Sequence, residues 1–232
     1  MRLRNLVLAL LLGPVAAGTP LLLTRTVLAQ IERDSRYPAH WWKPVPRSEA
    51  ASWEILPQNA RATEVILSKR NELGLLSNFA ATPFEFRGKR YGSIEGLWQS
   101  MKYPEGPDDP RANFPGATWK FTRDDVAAMN GFEAKHAGDL ANVNMKLMNI
   151  DWVTFDGKQI SYRPREPGEH YKLIVEATRA KILQHPEVKQ VLLATGDLVL
   201  KPDHKQPPGA PAAWRYYEIL TTIRAELQQE AK

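Results

Sequence analysis

The chain has 232 residues, 43% of them apolar and 25% charged, which is room for one domain with a full core and too apolar a composition for wholesale disorder. Its formal charge of +5 is thinly based: Arg2, Arg4 and Arg25 lie in an acid-free stretch of 29 residues, and the remaining 28 basic residues nearly balance 26 acidic ones, unlike a nucleic-acid binder. Cysteine is absent, which excludes disulfides, thiolate nucleophiles and cysteine-based zinc sites. Residues 1–4 are basic, residues 6–12 are an unbroken apolar run, and Val27 and Ala29 stand at −3 and −1 of a cut before Gln30. That layout predicts a secretory signal peptide over residues 1–29 and a periplasmic or secreted mature chain with no stable membrane span. A membrane anchor is the alternative, because Leu21-Leu22-Leu23 prolongs the apolar stretch, although Pro14, Gly18, Pro20 and Arg25 interrupt it.

Residues 30–62 carry Pro38, Pro44 and Pro46 without a sustained period and are expected to form an extended arm, with Trp41-Trp42 packed back on the domain. The domain is expected over residues 63–230, opening on a strand at 64–67. Residues 82–86 and 89–91 alternate on either side of Arg87-Gly88, the pattern of a β-hairpin. Ser93 is an N-cap for a helix over 94–103 that Pro104 stops. Residues 108–118 read as loop. Thr122 opens a helix with Asp124 and Asp125 in its first turn, where carboxylates suit the dipole, and residues 134–141 are helical. Over 168–184, Leu173, Ala177, Ala180 and Leu183 recur at helical spacing. A helix from Pro186, a short strand at 198–200, a proline-rich loop at 205–211 and an amphipathic helix over 214–228 complete the chain. The sum is α+β, a helix-rich single domain with a small antiparallel sheet.

Chemistry concentrates in the helix at 94–103. Glu95, Gln99 and Lys102 occupy i, i+4 and i+7 and share one face, beside a core-like face of Ile94, Leu97, Trp98 and Met101. Spacing alone leaves two alternatives open, a polar pocket wall and a solvated stripe. The five histidines, His40, His136, His170, His185 and His204, show no close pair at ligand spacing, so no metal site is expected, and no cofactor is expected either. His204, next to Asp203 and ahead of the proline loop, is the one histidine that merits watching.

The order of motifs adds to this. Leu76-Ser77-Asn78-Phe79-Ala80, the hairpin, then Ser93-Ile94-Glu95 with Gln99 and Lys102 resemble the opening signature of the NADAR (YbiA-like) family. Ala134-Lys135 with Gly138, Asp151-Trp152, Ala180-Lys181-Ile182 and Leu192-Leu193-Ala194-Thr195-Gly196 resemble that family's later blocks. The chain departs from the pattern at Gly96, where the family has His, and in its C-terminal block, where Asp203-His204 and Trp214 stand instead.

The resemblance implies an α+β domain that cleaves an N-glycosidic bond, in a ribosylamino-pyrimidine or in ADP-ribose attached to a guanine base. The partner is then a small ribosylated or ADP-ribosylated molecule, and nucleic acid enters only as an ADP-ribosylated substrate. Such cleavage builds positive charge on the ribose carbon, so a carboxylate that stabilises it and activates water is needed, and Glu95 is the candidate. Lys102 is the candidate amine for Schiff-base attack on a ring-opened sugar. Candidate substrate-binding residues are Asn78 and Gln99 for sugar hydroxyls or the base edge, Phe79 and Trp98 for stacking, Lys135 and Lys181 for phosphate, and Ser77, Trp152 and Trp214 beside them. Asp203 and His204 are expected in an altered wall of the same pocket. The alternatives are a non-catalytic ADP-ribose or ribonucleotide-binding module and a secreted effector on the same fold.

Overall fold

The computed structural model describes residues 34–230, so the signal-peptide reading of residues 1–29 lies outside the described residues. Among the described residues there are six α-helices and six short strands. No helix there is long and apolar enough to cross a membrane.

The strands form three two-stranded sheets. β2 (Phe84–Phe86) and β3 (Lys89–Tyr91) make the expected hairpin, with Arg87 and Gly88 both at positive φ (48° and 76°) as a tight hairpin turn requires. β4 (Trp152–Phe155) and β5 (Lys158–Ser161) form a second antiparallel hairpin over Asp156-Gly157. β1 (Glu64–Ile66) pairs in parallel with β6 (Val199–Lys201), Val65 opposite Leu200, which joins segments from the two ends of the domain. The architecture is α+β, with two antiparallel hairpins and one parallel pair in place of a single antiparallel sheet.

α1 (Ile94–Ser100) is capped by Ser93, whose Oγ accepts from Gly96 N at 2.9 Å and donates to Met129 O at 3.0 Å. Every residue of α1 is buried, which makes it the central element of the core. α2 (Arg123–Ala128) starts on a Thr122–Asp125 capping box. α3 runs over Gly131–Leu147, longer than the expected 134–141. α4 (Glu169–Gln184) buries Leu173 and Ala177 of the expected stripe together with Ile174 and Ile182 beside them, whereas Leu183 is 51% exposed. α5 (Pro186–Ala194) and α6 (Tyr216–Glu230) follow, α6 preceded by a 3-10 turn at Ala212–Trp214.

Trp41 and Trp42 are buried in the main core, each indole N–H satisfied: Trp41 donates to Glu72 at 2.6 Å and Trp42 to the Glu64 carbonyl at 2.8 Å. A buried Trp removes ~150–250 Å² from water, worth roughly 4–6 kcal/mol before the entropy of ordering. Two such anchors fasten the segment before β1 to the domain.

Candidate active site

α1 forms one wall of a cavity of about 610 Å³, contributing Glu95, Trp98 and Gln99, with Lys102 just beyond its end. The solvated-stripe alternative is excluded, because Glu95, Gln99 and Lys102 are only 7%, 6% and 5% exposed. Lys102 lies past the end of α1, not within it. The last turn tightens, with Lys102 N donating to Gln99 O at 3.2 Å and Tyr103 N to Ser100 O at 3.0 Å. Met101 and the Arg111 guanidinium fill the space behind, Arg111 donating to the carbonyls of Met101 and Lys102 at 3.1 Å.

Burial dominates the electrostatics of this wall. It pushes the Glu95 carboxyl above the usual carboxylate range, against the opposing pull of the Gln99 hydrogen bond and the nearby Lys102 charge. Gln99 Nε2 donates to Glu95 Oε1 at 2.7 Å. Burial lowers the Lys102 amine to about 8, with the Glu95 charge working in the other direction. No ion pair within 4.0 Å joins the two. Lys102 Nζ has no hydrogen-bond partner among the described residues and sits 5.8 Å from the centre of the Tyr162 ring. Two further buried polar atoms of cavity-lining residues are unpartnered among the described residues, Gln99 Oε1 on α1 and Trp214 Nε1 in the segment before α6.

The loop carrying Ser77, Asn78 and Phe79 forms the next wall. Its backbone is held from three sides: Asn78 O accepts from Glu95 N at 2.9 Å, Phe79 O from Gly131 N at 3.1 Å, and Leu75 O and Ser77 O from Lys181 Nζ at 2.8 and 3.0 Å. Lys181 is fully buried beneath the loop, and burial alone lowers its amine to about 7. α3 contributes Phe132, Lys135, Asp139 and Asn142. Lys135 is already bidentate to Asp139, at 2.5 and 2.7 Å. The C-terminal wall holds Asp203, His204, Gln206, Trp214 and Tyr216, and Lys69 and Trp53 close the rim.

Of the residues singled out from sequence, eleven line this one cavity; Trp152 does not, nor does Lys181, whose amine is spent on the Leu75 and Ser77 carbonyls and is not available for phosphate. Trp152 opens β4 with its ring 5.0 Å from the Arg111 guanidinium, so its role there is packing. Lys69, Tyr162, Arg163 and Trp53 also line the cavity without any mark in the sequence that points to them. Lys69 follows β1 and Asp203 follows β6, so only their parallel pairing brings Lys69 into its ion pair with Asp203.

Two glycines explain how the walls approach. A Cβ at Gly138 would lie 1.8 Å from Gln99 Oε1, so α3 leaves the space that the Gln99 amide fills. A Cβ at Gly96 would lie 2.4 Å from Met129 O, which shows that position 96 faces the end of α2 and not the cavity. The glycine at the position where the resembled family has His therefore takes nothing out of this cavity wall.

No protein-family model matches the chain, and no curated protein matches it in sequence. Among solved structures, the NMR structure of the E. coli protein YbiA is similar at 20% identity, over 71% of this chain and 83% of that one, with a TM-score of 0.41. With a likeness of that size, the chemistry has to be read from the cavity itself.

Proposed function

We propose that the protein is an N-glycosidase that cleaves the bond between a ribose carbon and a base nitrogen. The observation that carries this is Glu95: a carboxyl buried in a cavity wall, held by a single amide hydrogen bond, with no ion pair among the described residues to neutralise it. A carboxylate so placed is a stronger base than one in water and faces the carbon on which positive charge develops. The cavity size suits a nucleotide-scale ligand. Its aromatic side chains offer stacking surfaces for a base, and Lys69, Arg163 and Lys205 on the rim offer charge for phosphate.

In this mechanism the base stacks against the aromatic wall, and Asn78, which lines the cavity, offers an amide donor and acceptor to its polar edge or to the sugar. As the C–N bond lengthens, Glu95 stabilises the oxocarbenium-like ribose and takes a proton from the water that attacks it. Lys102, with its amine lowered to about 8, is partly neutral near physiological pH and can form an imine with the ring-opened sugar. The test is release of free guanosine from ADP-ribosylated guanosine, and of free base from a ribosylamino-pyrimidine phosphate, followed by chromatography. Wild-type protein is expected to release base from one of them and Glu95→Gln from neither; wild-type rates in Glu95→Gln would overturn the assignment.

A further inference from the structure

We infer that His204, oriented by Asp203, is the proton donor to the departing base, a second acid–base group lining the same cavity as Glu95. This rests on the glycosidase reading above, and it comes from the segment in which the chain departs from the family pattern it otherwise resembles.

The geometry is that of a carboxylate–imidazole dyad. His204 Nδ1 is 2.9 Å from Asp203 Oδ1, and a carboxylate only accepts, so Nδ1 carries the proton. The Gln206 amide nitrogen lies 2.9 Å from Nε2 and only donates, which independently makes Nε2 the ring's basic nitrogen. Asp203 is buried, its other oxygen is paired with Lys69, and the Tyr216 hydroxyl donates to Oδ1 at 3.4 Å. The His204 ring stacks parallel to Tyr216, with 6.2 Å between centroids and 5° between planes. Backbone contacts fix the segment as well: Ile55 N donates to Asp203 O at 2.7 Å, and Glu54 bridges His204. The carboxylate is thus sequestered, whereas the imidazole side chain stays 41% exposed and lines the cavity. An orienting carboxylate on one ring nitrogen, and on the other a side-chain amide that also lines the cavity and whose place a substrate nitrogen can take, are what proton transfer requires.

The reaction needs such a group. When the glycosidic C–N bond breaks, its electron pair goes to the base nitrogen, which must take up a proton. Water bonds to the ribose carbon and gives its proton to Glu95, so Glu95 cannot supply the one the base needs. With the Gln206 amide turned away from Nε2, His204 in its doubly protonated form donates from Nε2 to the base nitrogen and is left neutral. Exchange of one proton from Glu95 and one to His204 with solvent restores both groups, and the net change is base–ribose plus water giving free base plus ribose.

Two substrates with the same sugar but different leaving groups separate this role from a structural one. ADP-ribosylated guanosine needs its base protonated, whereas ADP-ribosyl 4-nitrophenolate expels a stable phenolate without a proton. His204→Gln is expected to lower kcat/KM for the first by about 10²–10⁴-fold, the usual worth of general acid–base catalysis, and for the second by less than about tenfold. Equal losses on both substrates, or no loss on the first, overturn the proposal while leaving the glycosidase reading intact. A wild-type protein that cleaves neither substrate overturns both. Independent of turnover, ¹⁵N NMR of the wild-type protein is expected to find neutral His204 protonated at Nδ1; protonation at Nε2 instead would refute the dyad.

Discussion

Replacing Glu95 with Gln is expected to stabilise the protein at neutral pH. Wild-type Glu95 is 7% exposed, accepts one hydrogen bond of 2.7 Å, and has no ion pair among the described residues. The substituted amide keeps an acceptor oxygen for Gln99 Nε2, puts an NH2 group in place of the other oxygen and removes the charge. Because burial raises the folded-state pKa of Glu95, the sign follows directly. Below the ordinary glutamate value of about 4.3 the residue is protonated whether folded or unfolded, and wild type and variant are equally stable. As pH rises through the raised folded value, wild type takes on the cost of a buried, poorly compensated charge and the variant does not. Relief of such a charge is worth on the order of 1–4 kcal/mol, and in a domain of this size each kcal/mol moves Tm by about 2–4 °C. Paired thermal melts of wild type and Glu95→Gln between pH 4 and 8 read this out. The two Tm curves should coincide at the acid end and diverge toward neutrality, the variant melting higher. A variant that melts at or below wild type at pH 7 would show that Glu95 is not a buried, undercompensated carboxylate, and its role as a strengthened base would go with it.

Three other expectations follow from the same geometry. Cyanoborohydride trapping with ADP-ribose should modify Lys102, with a yield that rises with pH through about 8 as its amine loses its proton, and Lys102→Arg should give no adduct; mass spectrometry of the peptide decides this. Burial lowers the Lys181 amine to about 7 from 10.5, so wild-type urea stability should rise between those two pH values, where the unfolded chain binds a proton that the folded one does not. Lys181→Met should flatten that rise, and an unchanged slope would refute it. Restoring the resembled family's histidine as Gly96→His should destabilise the fold by about 1–3 kcal/mol or more, because its Cβ meets the Met129 carbonyl at 2.4 Å; a neutral result in urea melts would show that position 96 does not abut α2 so closely.

Local signals carry much of the fold. Arg87-Gly88 between alternating arms marks the first hairpin, and Ser93 marks the start of α1. The second hairpin is absent from the sequence-based expectations although Asp156-Gly157 carries the same turn signal, with φ of 51° and 72°. Helical spacing on α4 runs from Leu173 through Leu183, but the core takes Leu173 and Ala177 together with Ile174, Thr178, Lys181 and Ile182 and leaves Leu183 outside, a preference that only packing decides. Lys181 is the instructive residue there: a lysine is by default solvated, and only the two carbonyls above it make burial tolerable. The polar stripe of α1 is legible as residues and ambiguous as environment, since the same spacing serves a solvated face. Lys69, Tyr162 and Arg163 carry no local mark, because the contacts that bring them to the cavity span much of the chain.

The most direct test mixes Glu95→Gln with ADP-ribosylated guanosine, measuring heat of binding and free guanosine in the same sample. Wild-type affinity without released guanosine is the expected result, since the variant keeps the cavity contacts and loses the charge that stabilises the ribose carbon. Guanosine release at the wild-type rate would contradict a catalytic role for Glu95, and a wild-type protein that binds without ever releasing guanosine would make the cavity a binding site alone.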